Sequence, residues 1–210
     1  ATSGLDTVAI RVPSNKVALE VLNHFNLPFA APSANRYGKI SPTSATDVFE
    51  ELNGKVTTIL DGGNTKVGIE STVIDISNKN TKILRYGGIS EESINKLIKI
   101  HKKEINITLK SPGLSNSHYK PDKPIRINAI RPREGEAWLA FGKKPSYFDG
   151  VSLTLSKKKC LDESAKNLYK MLRLLDKKNV KSIAIQKIPE KGIGLAINDR
   201  LRRAAFIKDK

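Results

Sequence analysis

One cysteine in 210 residues excludes an internal disulfide, and with only three histidines it excludes a Cys/His zinc cluster as well. Neither His24 nor His101 has a partner at metal-ligand spacing. Aromatic residues make up 6% of the chain, too few to line a stacking platform for single-stranded RNA. No apolar run approaches the roughly 18 residues that a membrane span requires. The opening residues lack the basic, apolar and small-residue pattern of a secretory leader, so a cytoplasmic protein is expected. Generic nucleotide motifs are missing too. There is no G-x-x-x-x-G-K-[ST] loop, and Gly192-Ile193-Gly194 has Ile197 where a dinucleotide fingerprint needs a third glycine.

What is present is an ordinary globular composition, 39% hydrophobic and 28% charged, with a formal net charge of +16. The excess is unevenly placed. Residues 1–104 carry 13 basic and 11 acidic side chains, a net of +2, whereas residues 105–210 carry 24 and 10, a net of +14. Only the second half is a candidate for a polyanion. The 27 Lys against 10 Arg also fit a compositional bias with no binding role.

The hydrophobic pattern predicts an α/β chain in two units: residues 1–104, a linker over 105–124, and a basic unit over 125–210. In the first unit, Thr7–Val12, Pro28–Ala31, Val56–Leu60, Ser71–Ile76 and Lys82–Leu84 read as strands of a twisted mixed sheet. Helices are predicted after Ser14, Ser44 and Ser90, with Ala18, Val21, Leu22 and Phe25, then Ala45, Val48, Phe49 and Leu52, then Ile94, Leu97 and Ile98 facing inward. The linker region contains Pro112, Gly113, Pro121 and Pro124. The second unit reads as strands near 125–129, 137–141, 151–155 and 182–188. A helix carrying Leu161, Ala165, Leu168, Leu172 and Leu175 precedes the last strand, and a final helix ends near Phe206.

Two loops are chemically rich. Pro32 to Thr43 offers hydroxyls, an amide and two cations, donors suited to phosphate or carboxylate oxygens, although it also reads as a polar surface loop. Asp61 to Thr72 is glycine-rich and ends in Glu70-Ser71-Thr72; it also reads as a simple hairpin. Arg11 falls inside a predicted strand, where a cation is costly unless paired or facing a ligand. Arg85 ends another strand, before Tyr86-Gly87-Gly88. Two arginines beside two hydroxyl-rich loops make a candidate anion site.

Several segments, in fixed order, resemble the long, two-domain form of the YrdC-type threonylcarbamoyl-AMP synthases. They are Gly4 to Pro13 (GLDTVAIRVP), Ala31 to Asn35 (APSAN), Ser41-Pro42-Thr43, Gly68 to Val73 (GIESTV), Leu84 to Gly88 (LRYGG), Ser111-Pro112-Gly113 with His118-Tyr119-Lys120-Pro121, and Ala196 to Leu201 (AINDRL). The likeness covers essentially the whole chain. It implies a truncated YrdC-like domain, a linker and a smaller Rossmann-like α/β domain. It also implies a reaction: L-threonine, bicarbonate and ATP, the last with Mg2+, give threonylcarbamoyl-adenylate and pyrophosphate. The product would pass to a transferase complex that modifies tRNA. Such chemistry rests on positioning and charge neutralisation, which suits a chain with no catalytic histidine or carboxylate pair.

The same resemblance assigns roles. Arg11, Ala31 and Ser71 would bind threonine. Thr7, Ser33, Asn35, Ser41 and Arg85 would bind ATP, with His118 and Tyr119 folding back over the nucleotide from the linker. Neither a catalytic residue nor a metal ligand is assigned. Lys120 stands where the family has a small residue. The front of the family's first domain, with its Lys-x-Arg motif, has no counterpart, so the resemblance implies an N-terminally truncated member. That would be a fragment or one half of a split gene with a separately encoded N-terminal half, inactive alone. The alternatives are a tRNA- or double-stranded-RNA-binding protein, resting on the basic half and on Arg200, Arg202 and Arg203, and a nonfunctional remnant. Weak tRNA binding at most is expected of the enzyme reading.

Overall fold

The computed structural model describes residues 2, 4, 6–101 and 118–206. Its elements in chain order are α1 (Lys16–Phe25), α2 (Ala45–Leu52), β1 (Val73–Asp75), β2 (Lys82–Arg85), α3 (Glu91–Asn95), β3 (Ile125–Ala129), β4 (Glu136–Ala140), β5 (Ser152–Thr154), α4 (Leu161–Asp176), β6 (Ser182–Gln186) and α5 (Gly194–Ala205). The chain is α/β.

The second unit is built as its pattern predicts. Four parallel strands lie in the order β3-β6-β4-β5. Parallel pairing demands crossovers; α4 lies in the one from β5 to β6, and α5, after the last strand, packs beside it. Leu168, Leu172 and Leu175 of α4 pack with Ile197, Leu201 and Ala204 of α5 over Ala137, Leu139, Ile183 and Ile185. The other face of the sheet is finished by Trp138, Ala129, Ala140 and Ala184, with Phe148 beside them. Asp162 and Glu163 in the first turn of α4 suit its dipole.

The first unit departs from its pattern. Among the described residues only β1 and β2 form a sheet there, an antiparallel pair. Segments 7–12, 28–31 and 56–60 are not strands, because no neighbouring chain among the described residues accepts their backbone hydrogen bonds. Alternation marks a segment as able to pair; the partner decides whether it does. Helices α1 and α2 form, but α1 is capped by Asn15, one residue after the expected Ser14. Ser44 and Ser90 cap α2 and α3 as expected. The inward stripes of α1 and α2 are only half-buried, with Phe25 and Phe49 more than half exposed, and Leu97 and Ile98 lie beyond the short α3. The linker prediction falls mostly on residues 102–117, outside the described residues.

Part of what the first unit buries, it buries against the second. Ile40, Ile69 and Tyr119 belong to the same apolar cluster as α4 and α5. Gly68 shows how close the two units come. A Cβ there would stand 2.4–2.6 Å from backbone atoms of Lys166 and Ala165 in α4, and its φ is +84°. Charged pairs edge the seam. Arg173 of α4 binds Glu51 of α2 at 3.1 Å and the Ile40 carbonyl, and Lys177 reaches Glu50 at 2.8 Å.

Gly68→Ala is therefore expected to lower stability by about 1–3 kcal/mol through overpacking, on top of its backbone strain. Gly54→Ala, at φ +74° with open space around it, isolates the left-handed strain alone, about 1 kcal/mol. Denaturant unfolding of both variants measures the difference. Equal losses would show that the close approach to α4 carries no weight.

Candidate functional site

Glu70 lies at the centre of the seam. It ends the loop that follows Gly68 and directly precedes Ser71. Its carboxylate accepts the Ser41 hydroxyl at 2.7 Å, the Tyr169 hydroxyl at 3.0 and 3.1 Å, and Arg200 Nε at 3.0 Å. Arg200 is 1% exposed. Its Nη1 donates to the Tyr86 carbonyl at 2.5 Å and to Asp199 at 3.1 Å. Burial pushes the Glu70 carboxyl up. The Arg200 charge and the hydrogen bonds from Ser41, Arg200 and the backbone outweigh that, so it sits below the usual glutamate range. Burial alone would weaken the Arg200 charge, but Glu70, the two tyrosines and Asp199 hold it more firmly than usual.

Next to this pair, Arg85 closes on Ser71. Its Nε and Nη2 donate to the Ser71 carbonyl at 3.2 and 3.0 Å, and Nη2 lies 3.5 Å from the Ser71 hydroxyl. Burial lowers the Arg85 pKa from its ordinary value. The turn behind it is tight. Gly88 N–H donates to the Glu70 carbonyl at 2.9 Å, and a Cβ on Gly87 would meet Glu70, Ser71 and Thr72 backbone atoms at 2.2–2.5 Å. Only glycine lets the two motifs lie this close.

His118 and Tyr119 dock into the same place. The Tyr119 ring stacks on Tyr169 with centroids 5.7 Å apart, and the Arg200 guanidinium lies 5.5 Å above it. Tyr119 holds φ +62°, costly for a tyrosine, and is 2% exposed. The next residue, Lys120, donates its N–H to the Gly38 carbonyl at 2.8 Å. Burial lowers the His118 pKa, with Glu70 acting against the shift.

The structure thus brings Ser41, Ser71, Arg85, His118 and Tyr119 around one ion pair. Asn35 is nearby in sequence but turned to structure, donating to the Arg36 and Lys39 carbonyls at 2.9 and 3.1 Å. Thr7, Arg11, Ala31 and Ser33 are exposed and make no hydrogen bond or ion pair with the cluster among the described residues. Arg11 in particular is not in a strand, so the desolvation cost that singled it out does not arise. Glu70, Tyr169 and Arg200 were not assigned from the sequence as site residues. A signal existed: Arg200 falls on the same helical stripe as Ile197, Leu201 and Ala204, and a charge on a buried stripe requires a partner. Arg202 pairs with Glu190 at 2.8 Å and Arg203 with Asp199 at 3.0 Å. Arg200 is buried and the other two face carboxylates, so these three arginines do not favour the RNA-binding alternative.

Two family models match. One, described as "Telomere recombination" and covering the Sua5, YciO and YrdC proteins, matches residues 1–87. The other, "Threonylcarbamoyl-AMP synthase, C-terminal domain", matches residues 89–206. The chain belongs to the threonylcarbamoyl-AMP synthase family. It is 39% identical to the threonylcarbamoyl-AMP synthase of Pyrococcus abyssi, over 97% of this chain and 65% of that one. It is 37% identical to that of Bacillus subtilis, over 97% and 64%. The solved structure of P. abyssi Sua5 with L-threonine matches at TM-score 0.83 and 38% identity, covering 97% of this chain and 65% of that one. A P. abyssi Sua5 variant with an adjacent His and Tyr both changed to Ala matches at TM-score 0.82, with 36% identity over 97% and 64%. The chain spans about 65% of the length of the P. abyssi relative. These comparisons lend no support to the expectation of a truncated, inactive member. No helix among the described residues is long and apolar enough to cross a membrane.

The Glu70 pair makes the seam acid-sensitive. Its folded pKa lies below the unfolded one, so the unfolded state binds more protons as pH falls. The stabilisation is complete above about pH 4.3, the ordinary glutamate value, and is lost as pH drops through the folded value. Stability measured between about pH 5 and 3 should fall, and Glu70→Gln should flatten part of that slope. An identical slope in the variant would show that the pair does not couple to folding.

Proposed function

We propose that this chain acts in threonylcarbamoyl-AMP synthesis, joining L-threonine, bicarbonate and ATP with release of pyrophosphate. The observation that carries this reading is the Arg85–Ser71 contact, flanked by Ser41 and by the His118-Tyr119 pair, in a chain of this family. The threonine amine takes up the carboxyl group from bicarbonate, losing water. The resulting carbamate oxygen attacks the α-phosphorus of ATP, and pyrophosphate leaves. Ser71 would contact the threonine, with Arg11 and Ala31 as further threonine-binding residues. Arg85, Ser41, Ser33, Asn35 and Thr7 would serve the nucleotide. His118-Tyr119 is the one His-Tyr pair in the sequence, and it supports this reading because an adjacent pair of that kind is the one altered in the P. abyssi variant.

The chemistry needs anions held in line and their charge offset, and it needs little proton transfer by the protein. A guanidinium anchored by two hydrogen bonds to a backbone carbonyl is already oriented, so it loses little freedom when an oxygen anion arrives. Among the described residues no group of His, Cys, Asp or Glu side chains could hold a metal ion. Mg2+ enters this reading only as the companion of ATP. The product would be a mixed anhydride, a form fit for transfer to a tRNA-modifying complex.

Calorimetry with L-threonine and with ATP, followed by a pyrophosphate-release assay with bicarbonate and Mg2+, tests the reading. Threonine-dependent release is expected, and Arg85→Ala should lower turnover by about 100- to 1000-fold, the cost of losing one donor to developing charge. A folded chain that binds neither substrate would overturn it.

A further inference from the structure

We propose that Arg200, on the last helix, is a positioning residue for this site, acting on Ser41, Ser71 and Arg85 without touching a substrate. The inference rests on the reading of the site given above.

The geometry points to it through two neighbours. Glu70 precedes Ser71, and Tyr86 follows Arg85. Ser71 and Arg85 are the two candidate residues that bond each other. One guanidinium therefore holds the residue before the first and the residue after the second, through Nε to Glu70 and Nη1 to the Tyr86 carbonyl. It braces the pair from behind across separations of 130 and 114 residues. Glu70 extends the brace to the other loop, because its second oxygen takes the Ser41 hydroxyl at 2.7 Å. Tyr169 donates to both oxygens and stacks on Tyr119, so the same cluster also sets the His118-Tyr119 segment.

The chemistry favours arginine at this position. A planar fork can donate in two directions at fixed angles, and a lysine ammonium can serve only one of these acceptors well. Arg200 is also out of contact with solvent, its side chain 1% exposed, whereas that of Glu70 is 19% exposed. Arg200 is then unavailable to screen a substrate charge directly, and its effect must pass through the backbone it holds. The last helix belongs to the second unit, so the second unit becomes a template on which the loops of the first are set.

Arg200→Lys and Tyr169→Phe test this in the full chain, since both are mild enough to retain the fold where Arg200→Met could fail. Hydrogen exchange is read on peptides covering 38–43, 69–72 and 85–88, with 136–140 and 182–186 as internal references. In Arg200→Lys the three site peptides should exchange about tenfold faster, the factor carried by one lost hydrogen bond to a charged group, while the references stay unchanged. L-threonine affinity should weaken by about the same factor. Tyr169→Phe should loosen 38–43 and 69–72 but leave 85–88 as in the parent chain. Unchanged site peptides in Arg200→Lys overturn the proposal. So does a lowered melting temperature with unaltered threonine affinity, which would make Arg200 interface glue only. If the parent chain binds no substrate, the proposed function fails, and the exchange comparison still decides whether Arg200 holds these loops.

Discussion

A carboxylate and a guanidinium can leave water only together, and the seam between the two units is where Glu70 and Arg200 do so. Either one alone in that place would be an uncompensated buried charge, far costlier than the pair is beneficial. The pair is therefore a condition on assembly: the first unit cannot dock unless α5 presents Arg200, and α5 cannot bury Arg200 unless Glu70 arrives. Tyr169 and Ser41 complete the carboxylate's hydrogen bonds, which separates a tolerable buried ion pair from a destabilising one. The close approach at Gly68 and the Arg173–Glu51 contact follow from that docking.

The surplus of positive charge in the second half has a structural explanation in part. Arg173, Lys177 and Arg200 of the second half are matched by Glu51, Glu50 and Glu70 of the first, while Lys39 with Asp122 runs the other way. The near-neutral first half supplies carboxylates that the second half uses. A charge skew between two halves of one chain reads as complementarity when the halves touch. The lysines that remain exposed are a solvated surface, and a basic isoelectric point does not by itself make a nucleic-acid site.

Legibility in the sequence followed the source of each element's stability. The second unit carries its own partners, so alternation in 125–129 and 182–186 and the leucine stripe of α4 translate directly into strands and helix. In the first unit the same alternation at 7–12 yields an exposed segment that joins no strand, because a strand is a relation between two segments and periodicity describes only one. The site divides in a similar way. Ser41, Ser71, Arg85, His118 and Tyr119 were readable because they lie in motifs with fixed order. Arg200 was visible only as a charge on a buried helical stripe and Glu70 only as a loop carboxylate beside Ser71, and their mutual contact spans 130 residues with no local pattern to announce it.

The strained backbone of Tyr119 fits the same frame. A tyrosine at φ +62° is held against its preference by contacts that must outweigh the strain. Three contacts do so at once: the stacked Tyr169 ring, the Arg200 cation over the ring, and the Lys120 N–H bonded to Gly38. Two of the three depend on the second unit and one on the loop that carries Ser41. The reaction proposed for this chain would rely on positioning and would need such over-determination, because a group placed an ångström away from its target is costly. The ion pair, the stacked tyrosines and the glycine turn therefore act as one device, in which charge burial fixes the seam and the seam fixes the loops.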